Sequence, residues 1–131
     1  MIMKKENLII EDNVIKILKD MKEVKFAYLF GSYTSNSNTK NSDIDIAIFV
    51  NDGYNLFDTH LKVHHKLEIE IRKEIDIVVL NNAKNFILIQ DILTNGRLLK
   101  DSIDDSREMY EIYKNHEILD YFELKRVLDV A

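Results

Sequence analysis

Gly31-Ser32-Tyr33-Thr34-Ser35-Asn36-Ser37-Asn38-Thr39-Lys40-Asn41-Ser42-Asp43-Ile44-Asp45 is the stretch on which the fold turns. A Gly-Ser pair closes one apolar run, Phe26-Ala27-Tyr28-Leu29-Phe30. Ten residues later, two aspartates with one apolar residue between them open a second run, which continues to Val50. Both runs read as strands, and the small polar residues 33–42 between them read as an exposed loop. Strand side chains two apart share a face, about 6.6 Å from each other along the chain, so Asp43 and Asp45 point the same way. Paired carboxylates repel unless a cation or hydrogen-bond donors offset them. Mg²⁺ is a natural partner, because it takes hard oxygen ligands and completes its shell with water and substrate phosphates. Ser32 can cap a short turn of helix whose backbone N–H groups face a phosphate beyond the strand end.

The flanking chain supplies the rest of a fold. Glu11-Asp12-Asn13 reads as the cap of a helix from about Val14 to Lys22, with Val14, Ile17, Leu18 and Met21 on one face. A second helical pattern runs from Leu56 to Lys73. Ile75-Asp76-Ile77-Val78-Val79-Leu80 is a third strand, β-branched and interrupted by one charge. A charge there is costly unless paired or liganded, so Asp76 joins the cluster if its strand lies beside 43–50. Three carboxylates on adjacent strands suit a two-metal site for phosphoryl or nucleotidyl transfer. Phe86 to Leu93 reads as a helix stopped by Asn95-Gly96, and Arg97-Leu98-Leu99-Lys100 as a short edge strand. Beyond acidic Asp101–Asp105, a long helix or helix pair reaches about Val130. Its second half is apolar on more than one side, which suggests a partner subunit. The class is therefore α/β (α+β): a small mixed sheet with flanking helices and a long C-terminal helix.

Bulk properties exclude other classes. At 131 residues one domain is expected, with a core over about 14–100 and a helical segment over about 102–130. The net charge is −5, and its short basic clusters all have acids beside them, which disfavours tight nucleic-acid binding. Charges interrupt every apolar run before it reaches the ~18 residues of a membrane span. The N-terminal Met1-Ile2-Met3-Lys4-Lys5-Glu6 has no apolar leader segment. A cytoplasmic protein is expected. There is no cysteine, hence no disulfide or thiolate metal site.

Taken singly these features are ordinary. Most D-x-D pairs at strand starts are solvated, and most Gly-Ser pairs are simple turns. His60, His64 and His65 sit at helical spacing without an evident third ligand, and read as a partly exposed helix face. Tyr110, Tyr113 and Tyr121 read as packing or interface residues. The combination is what discriminates. The pattern G-S-x₁₀-D-x-D resembles the signature of the DNA polymerase β-like nucleotidyltransferase superfamily, and within it the minimal nucleotidyltransferases. The phrases Leu29-Phe30-Gly31-Ser32-Tyr33, Ser42-Asp43-Ile44-Asp45-Ile46, Ile75-Asp76-Ile77-Val78, Ile92-Leu93-Thr94-Asn95-Gly96-Arg97-Leu98-Leu99 and Tyr121-Phe122-Glu123-Leu124-Lys125 carry the likeness over roughly residues 14–130.

The resemblance implies a polymerase β-like fold that transfers a nucleoside monophosphate from an NTP to an acceptor hydroxyl, releasing pyrophosphate. It implies that Gly31 and Ser32 grip the β- and γ-phosphates, that Asp43 and Asp45 hold the nucleotide-bound Mg²⁺, and that Asp76 serves the second metal and the attacking hydroxyl. Many relatives carry a small-Arg-Gly segment after Gly-Ser. Here Thr34-Ser35-Asn36 replaces it, so Lys40, the one basic residue of the loop, is expected to stand in beside Ser42 at the nucleotide. The chain is too short for the substrate domains of larger relatives. The resemblance therefore implies an antitoxin of a HEPN/MNT pair, moving AMP from ATP to a tyrosine of its HEPN toxin within a hetero-oligomer. Two alternatives are an antitoxin that neutralises by binding alone, and a transferase acting on a small molecule such as an aminoglycoside or on an RNA end.

Overall fold

A computed structural model of the chain describes residues 4–130. Met1-Ile2-Met3, where no leader was read, and Ala131 lie outside the described residues. Four strands form one sheet in the order β3-β2-β1-β4: β1 (Val24–Phe30), β2 (Ile44–Val50), β3 (Ile75–Val79) and β4 (Arg97–Lys100). Strands β1 and β2 are antiparallel, with Phe30 opposite Asp45, and β4 lies antiparallel on the other side of β1. Strand β3 runs parallel to β2, which requires a crossover. That crossover is helix α2 (Leu56–Ile71). Among the described residues no helix is long and apolar enough to cross a membrane.

Period-two alternation divides the core into two layers. Ala27 and Leu29 of β1, with Ile44, Ile46 and Ile48 of β2, pack against Val14, Ile17 and Leu18 of helix α1 (Lys5–Lys19) and Val63 and Leu67 of α2. Phe26, Tyr28, Phe30 and Ala47 face the other way. They meet Ile92 and Leu88 of helix α3 (Phe86–Asn95) and Tyr110 of helix α4 (Ser106–Val130). Phe26 stacks on Phe49 at 4.8 Å, and Tyr110 leans on both rings. On this second face β2 reads Asp43, Asp45, Ala47, Phe49, so the strand passes from acid to aromatic core within seven residues.

One expectation needs correction and two others are sharpened. Helix α1 begins at Lys5, nine residues before the expected start, and Glu11-Asp12-Asn13 lies inside it rather than capping it. Glu11 is buried and pairs with Arg97 Nε at 2.8 Å, a partner 86 positions away that no local pattern reveals. Buried Asn7, also on α1, donates to Asn38 at 2.7 Å and accepts from it at 3.1 Å, which ties the 34–43 loop to the helix. At the end of α3, Gly96 has φ −68° and is not a left-handed cap. Glycine is required there because a Cβ would overlap the Ile92 carbonyl oxygen and come within 3.3 Å of the Leu29 carbonyl oxygen. Of the two forms expected for the C-terminal segment, a long helix or a helix pair, the single helix is observed, 25 residues long. Among the described residues the last buried one in this helix is Ile118. Beyond it Leu119, Leu124, Val127 and Leu128 are exposed. The expected edge position of β4 is observed.

Candidate active site

The site forms where β1 ends and β2 begins. Gly31–Tyr33 is one 3₁₀ turn, closed by Thr34 N–H donating to the Gly31 carbonyl at 3.1 Å. The N–H groups that open such a turn have no partner within it. Gly31 has φ +76°, and a Cβ at this position would overlap Asp45 Oδ2 and lie 3.1 Å from its Cγ. Glycine is therefore needed twice over: for the backbone conformation and for the carboxylate that sits against it. A cleft of about 390 Å³ adjoins the turn, lined by Gly31, Thr34 and Ser35 and by Asp91 and Asn95 of α3.

The register between β2 and β3 places Asp76 directly beside Asp45. Both lie on the face that carries Gly31 and the α3–α4 core, as does Asp43 two residues earlier. Burial, then Asp76, then Asp43 push the Asp45 carboxyl up to about 6. Glu74 is a fourth acid that the sequence reading missed. It precedes β3 as Asp43 precedes β2, and its backbone carbonyl accepts from Ile44 N–H at 3.0 Å. Its exposed side chain shares a hydrogen bond with the Asp43 carboxyl, which raises the Glu74 pKa. The E-x-D spacing of Glu74 and Asp76 mirrors the D-x-D of Asp43 and Asp45, and that repetition was the available signal.

The residues present suit a hard divalent cation. Four carboxylate side chains crowd together, and among the described residues none of them is paired with a lysine or arginine. Among the described residues, no group of three or more histidine, aspartate or glutamate side chains is placed to hold a metal ion by itself. Mg²⁺ does not need one, because it binds through one or two carboxylates plus substrate phosphates. Lys40 and Ser42 do not line the cleft beside Gly31. They line a separate groove of about 340 Å³ on the β3 side of the acids, with Arg72, Lys73, Asp43 and Glu74. The Ser42 hydroxyl accepts from Thr39 N–H at 2.8 Å and shapes the loop. The histidines do not converge: His60 lines a groove with Phe57 at the other end of β3, and His64 meets Glu68 at 3.0 Å. Tyr110 packs in the core, Tyr121 packs on Phe86, and Tyr113 is exposed.

Comparison with known proteins agrees with this geometry. Residues 12–105 match the family model described as Polymerase beta, Nucleotidyltransferase. Protein adenylyltransferase MntA of Shewanella oneidensis is 33% identical over 90 residues. Those residues are 68% of this chain and 63% of that protein, so the chain spans less than two thirds of the length of this relative. A solved toxin–antitoxin complex with AMP-PNP contains a chain with 26% identity and a TM-score of 0.72, over 92% of this chain and 94% of that one. A complex of tri-AMPylated S. oneidensis HEPN toxin with MNT antitoxin shares the fold, at 24% identity, a TM-score of 0.68 and 95% coverage of each chain. The chain belongs to the polymerase β nucleotidyltransferase family.

Proposed function

We propose that the chain is an Mg²⁺-dependent protein adenylyltransferase: the antitoxin that moves AMP from ATP onto a tyrosine hydroxyl of a HEPN-domain toxin. The single observation that carries this reading is the run of unpaired carboxylates Asp43, Asp45 and Asp76 on one face against Gly31, with Asp45 held near 6 by its neighbours. The kinship with protein adenylyltransferase MntA and with a toxin–antitoxin chain solved with AMP-PNP supports the acceptor class and the donor.

In this mechanism the turn Gly31-Ser32 receives the β- and γ-phosphates through backbone N–H groups and the Ser32 hydroxyl. Asp43 and Asp45 would hold the nucleotide-bound ion and Asp76 would serve a second; when bound, Mg²⁺ would offset the negative charge of the phosphates. Asp76, on the edge strand, faces the acceptor and takes the proton of the attacking hydroxyl. The hydroxyl oxygen forms a bond to the α-phosphorus, the bond to the bridging oxygen breaks, and pyrophosphate leaves with the electron pair. Lys40, in the groove across the acids from the Gly31-Ser32 turn, serves the acceptor side, and Ser42 shapes the loop that carries it.

The exposed apolar turns of α4 after Ile118 favour a partner protein, so an antitoxin acting by coverage alone is the competing reading. The test mixes the protein with Mg²⁺, ATP labelled in its α-phosphate and the product of the adjacent gene. Label on the acceptor that disappears with Asp43→Asn/Asp45→Asn is expected. Neutralisation that persists in that variant without any label would replace transfer by binding.

A further inference from the structure

The groove on the β3 side of the acids has an unexplained charge. Lys40, Arg72 and Lys73 gather there beside Asp43 and Glu74. Of the four arginines, Arg97, Arg107 and Arg126 each meet an acid, whereas Arg72 has no side-chain partner among the described residues. Lys40 and Lys73 have none there either. The backbone adds an independent point. Arg72 ends α2 in the left-handed region, at φ 61° and ψ 39°, with its N–H on the Glu68 carbonyl at 2.8 Å. This is the position that glycine usually takes, and a side chain is strained there. A strained, unpaired arginine beside a catalytic cluster points to a ligand.

The donor does not account for this ligand. Its phosphates belong at the Gly31-Ser32 turn on the β1 side, while the groove lies across the carboxylates, against the exposed edge strand where the acceptor approaches. A tyrosine hydroxyl is neutral and needs no cation. Once it has received one AMP it carries a phosphodiester, and the new ribose offers hydroxyls to the same site.

We infer that Arg72 and Lys73, with Lys40 opposite, form an acceptor-side phosphate subsite that holds the phosphodiester of an already adenylylated acceptor and promotes further AMP transfer. This rests on the transferase reading above. In the second round a ribose hydroxyl oxygen of the bound nucleotide attacks the α-phosphorus of a fresh ATP. Its proton passes to Asp76, the new phosphodiester forms, and pyrophosphate leaves with the electron pair of the broken bond. The cations neutralise the first phosphodiester and hold the ribose at the carboxylates.

The test counts AMP groups on the HEPN-domain acceptor encoded beside this chain, by intact mass over time, with Mg²⁺ and ATP. Arg72→Gly/Lys73→Gln is compared with wild type and with Arg72→Lys. The double variant is expected to fold with unchanged or higher thermal stability, because glycine relieves the left-handed position. Its first transfer keeps the wild-type rate and KM for ATP, while the second and third slow by about tenfold or more, the scale of losing charge-assisted phosphate contacts. Arg72→Lys recovers most of the later additions. Unchanged later additions in the double variant overturn the subsite. A raised KM for ATP in the first transfer also overturns it, by giving the groove to the donor triphosphate. Wild type that stops at one AMP removes the need for it. Wild type that transfers none refutes the transferase reading itself, and the subsite falls with it.

Discussion

Two acid clusters sit at opposite edges of this small protein, and their surroundings differ in one respect. Around the start of α4, Asp101, Glu108 and Glu111 surround Arg107 at 2.7, 3.5 and 3.1 Å. Glu111 also accepts a 2.5 Å hydrogen bond from Tyr28 in the core. Asp101 is held below the ordinary carboxylate range by Arg107, and the guanidinium is held above its own. Around Asp45 the opposite holds: Asp43, Glu74 and Asp76 are close, no arginine or lysine is paired with them among the described residues, and the pKa rises. The first cluster is complete and stitches α4 to the sheet. The second has no such counter-charge among the described residues, and the proposed Mg²⁺ would supply it. Net acid content is the same kind of sequence fact in both places; the compensating cation separates structure from function.

The largest effect expected from this contrast is on transfer. Asp43→Asn/Asp45→Asn should lower AMP transfer by about 10³-fold or more, as loss of charge stabilisation at the reacting phosphate does. The same change should leave thermal stability equal or higher, since it removes repulsion rather than a partner. Denaturation by calorimetry beside a label-transfer assay checks both, and a large loss of stability would mean that these acids hold the fold.

Gly31→Ala comes next. It forces a left-handed non-glycine residue and displaces Asp45, so a loss of about 1–3 kcal/mol in urea unfolding is expected. Transfer should fall by about 10²-fold, the effect of a displacement near 1 Å at a reacting centre.

Arg107→Ala reverses the pattern. It strands Asp101 and Glu111, and a destabilisation of about 1–3 kcal/mol is expected with the transfer rate per folded molecule unchanged. A selective loss of transfer would join the two clusters functionally and break the comparison.

The smallest effect is the pH dependence without metal. The folded pKa of Asp45 lies above its unfolded value of 3.8, so the folded protein binds the extra proton between about 4 and about 6. The contribution of Asp45 to stability therefore falls as pH rises through that window and is level above it. Asp45→Asn should remove this slope. A slope of the same size in the variant would assign it to other groups.

The strands and the loop were legible because their signals are local. Phe26–Phe30 is a short, wholly apolar and aromatic run, Ile44–Val50 alternates at its start before turning apolar, and Gly31 marks the turn between them. Asp76 was legible as a charge in an apolar strand. Glu74 was not, since its closeness to Asp43 depends on the parallel register of two strands about thirty residues apart. The start of α1 was misplaced for a similar reason: Glu11 resembles a cap until Arg97 accounts for a buried acid in mid-helix. Arg72 carried no sequence signal, because nothing in Ile71-Arg72-Lys73 marks a left-handed residue where glycine is usual. The placement of Lys40 is the same kind of long-range fact: loop position suggested the donor phosphates, whereas the fold sets it opposite Arg72 and Lys73.

The claim that the Asp45 cluster waits for a cation is tested most directly by ligand-linked stability. Melting temperature is measured at pH 7.5 in chelator, and then in Mg²⁺ with a non-hydrolysable ATP analogue, for wild type, Asp43→Asn/Asp45→Asn and Arg107→Ala. Wild type and Arg107→Ala should both rise by the same several degrees, about 3 kcal/mol of linkage when ligand is at 100 times its Kd. The aspartate variant should not move. A wild type that does not respond to Mg²⁺ and nucleotide, or an aspartate variant that responds equally, would contradict the assignment.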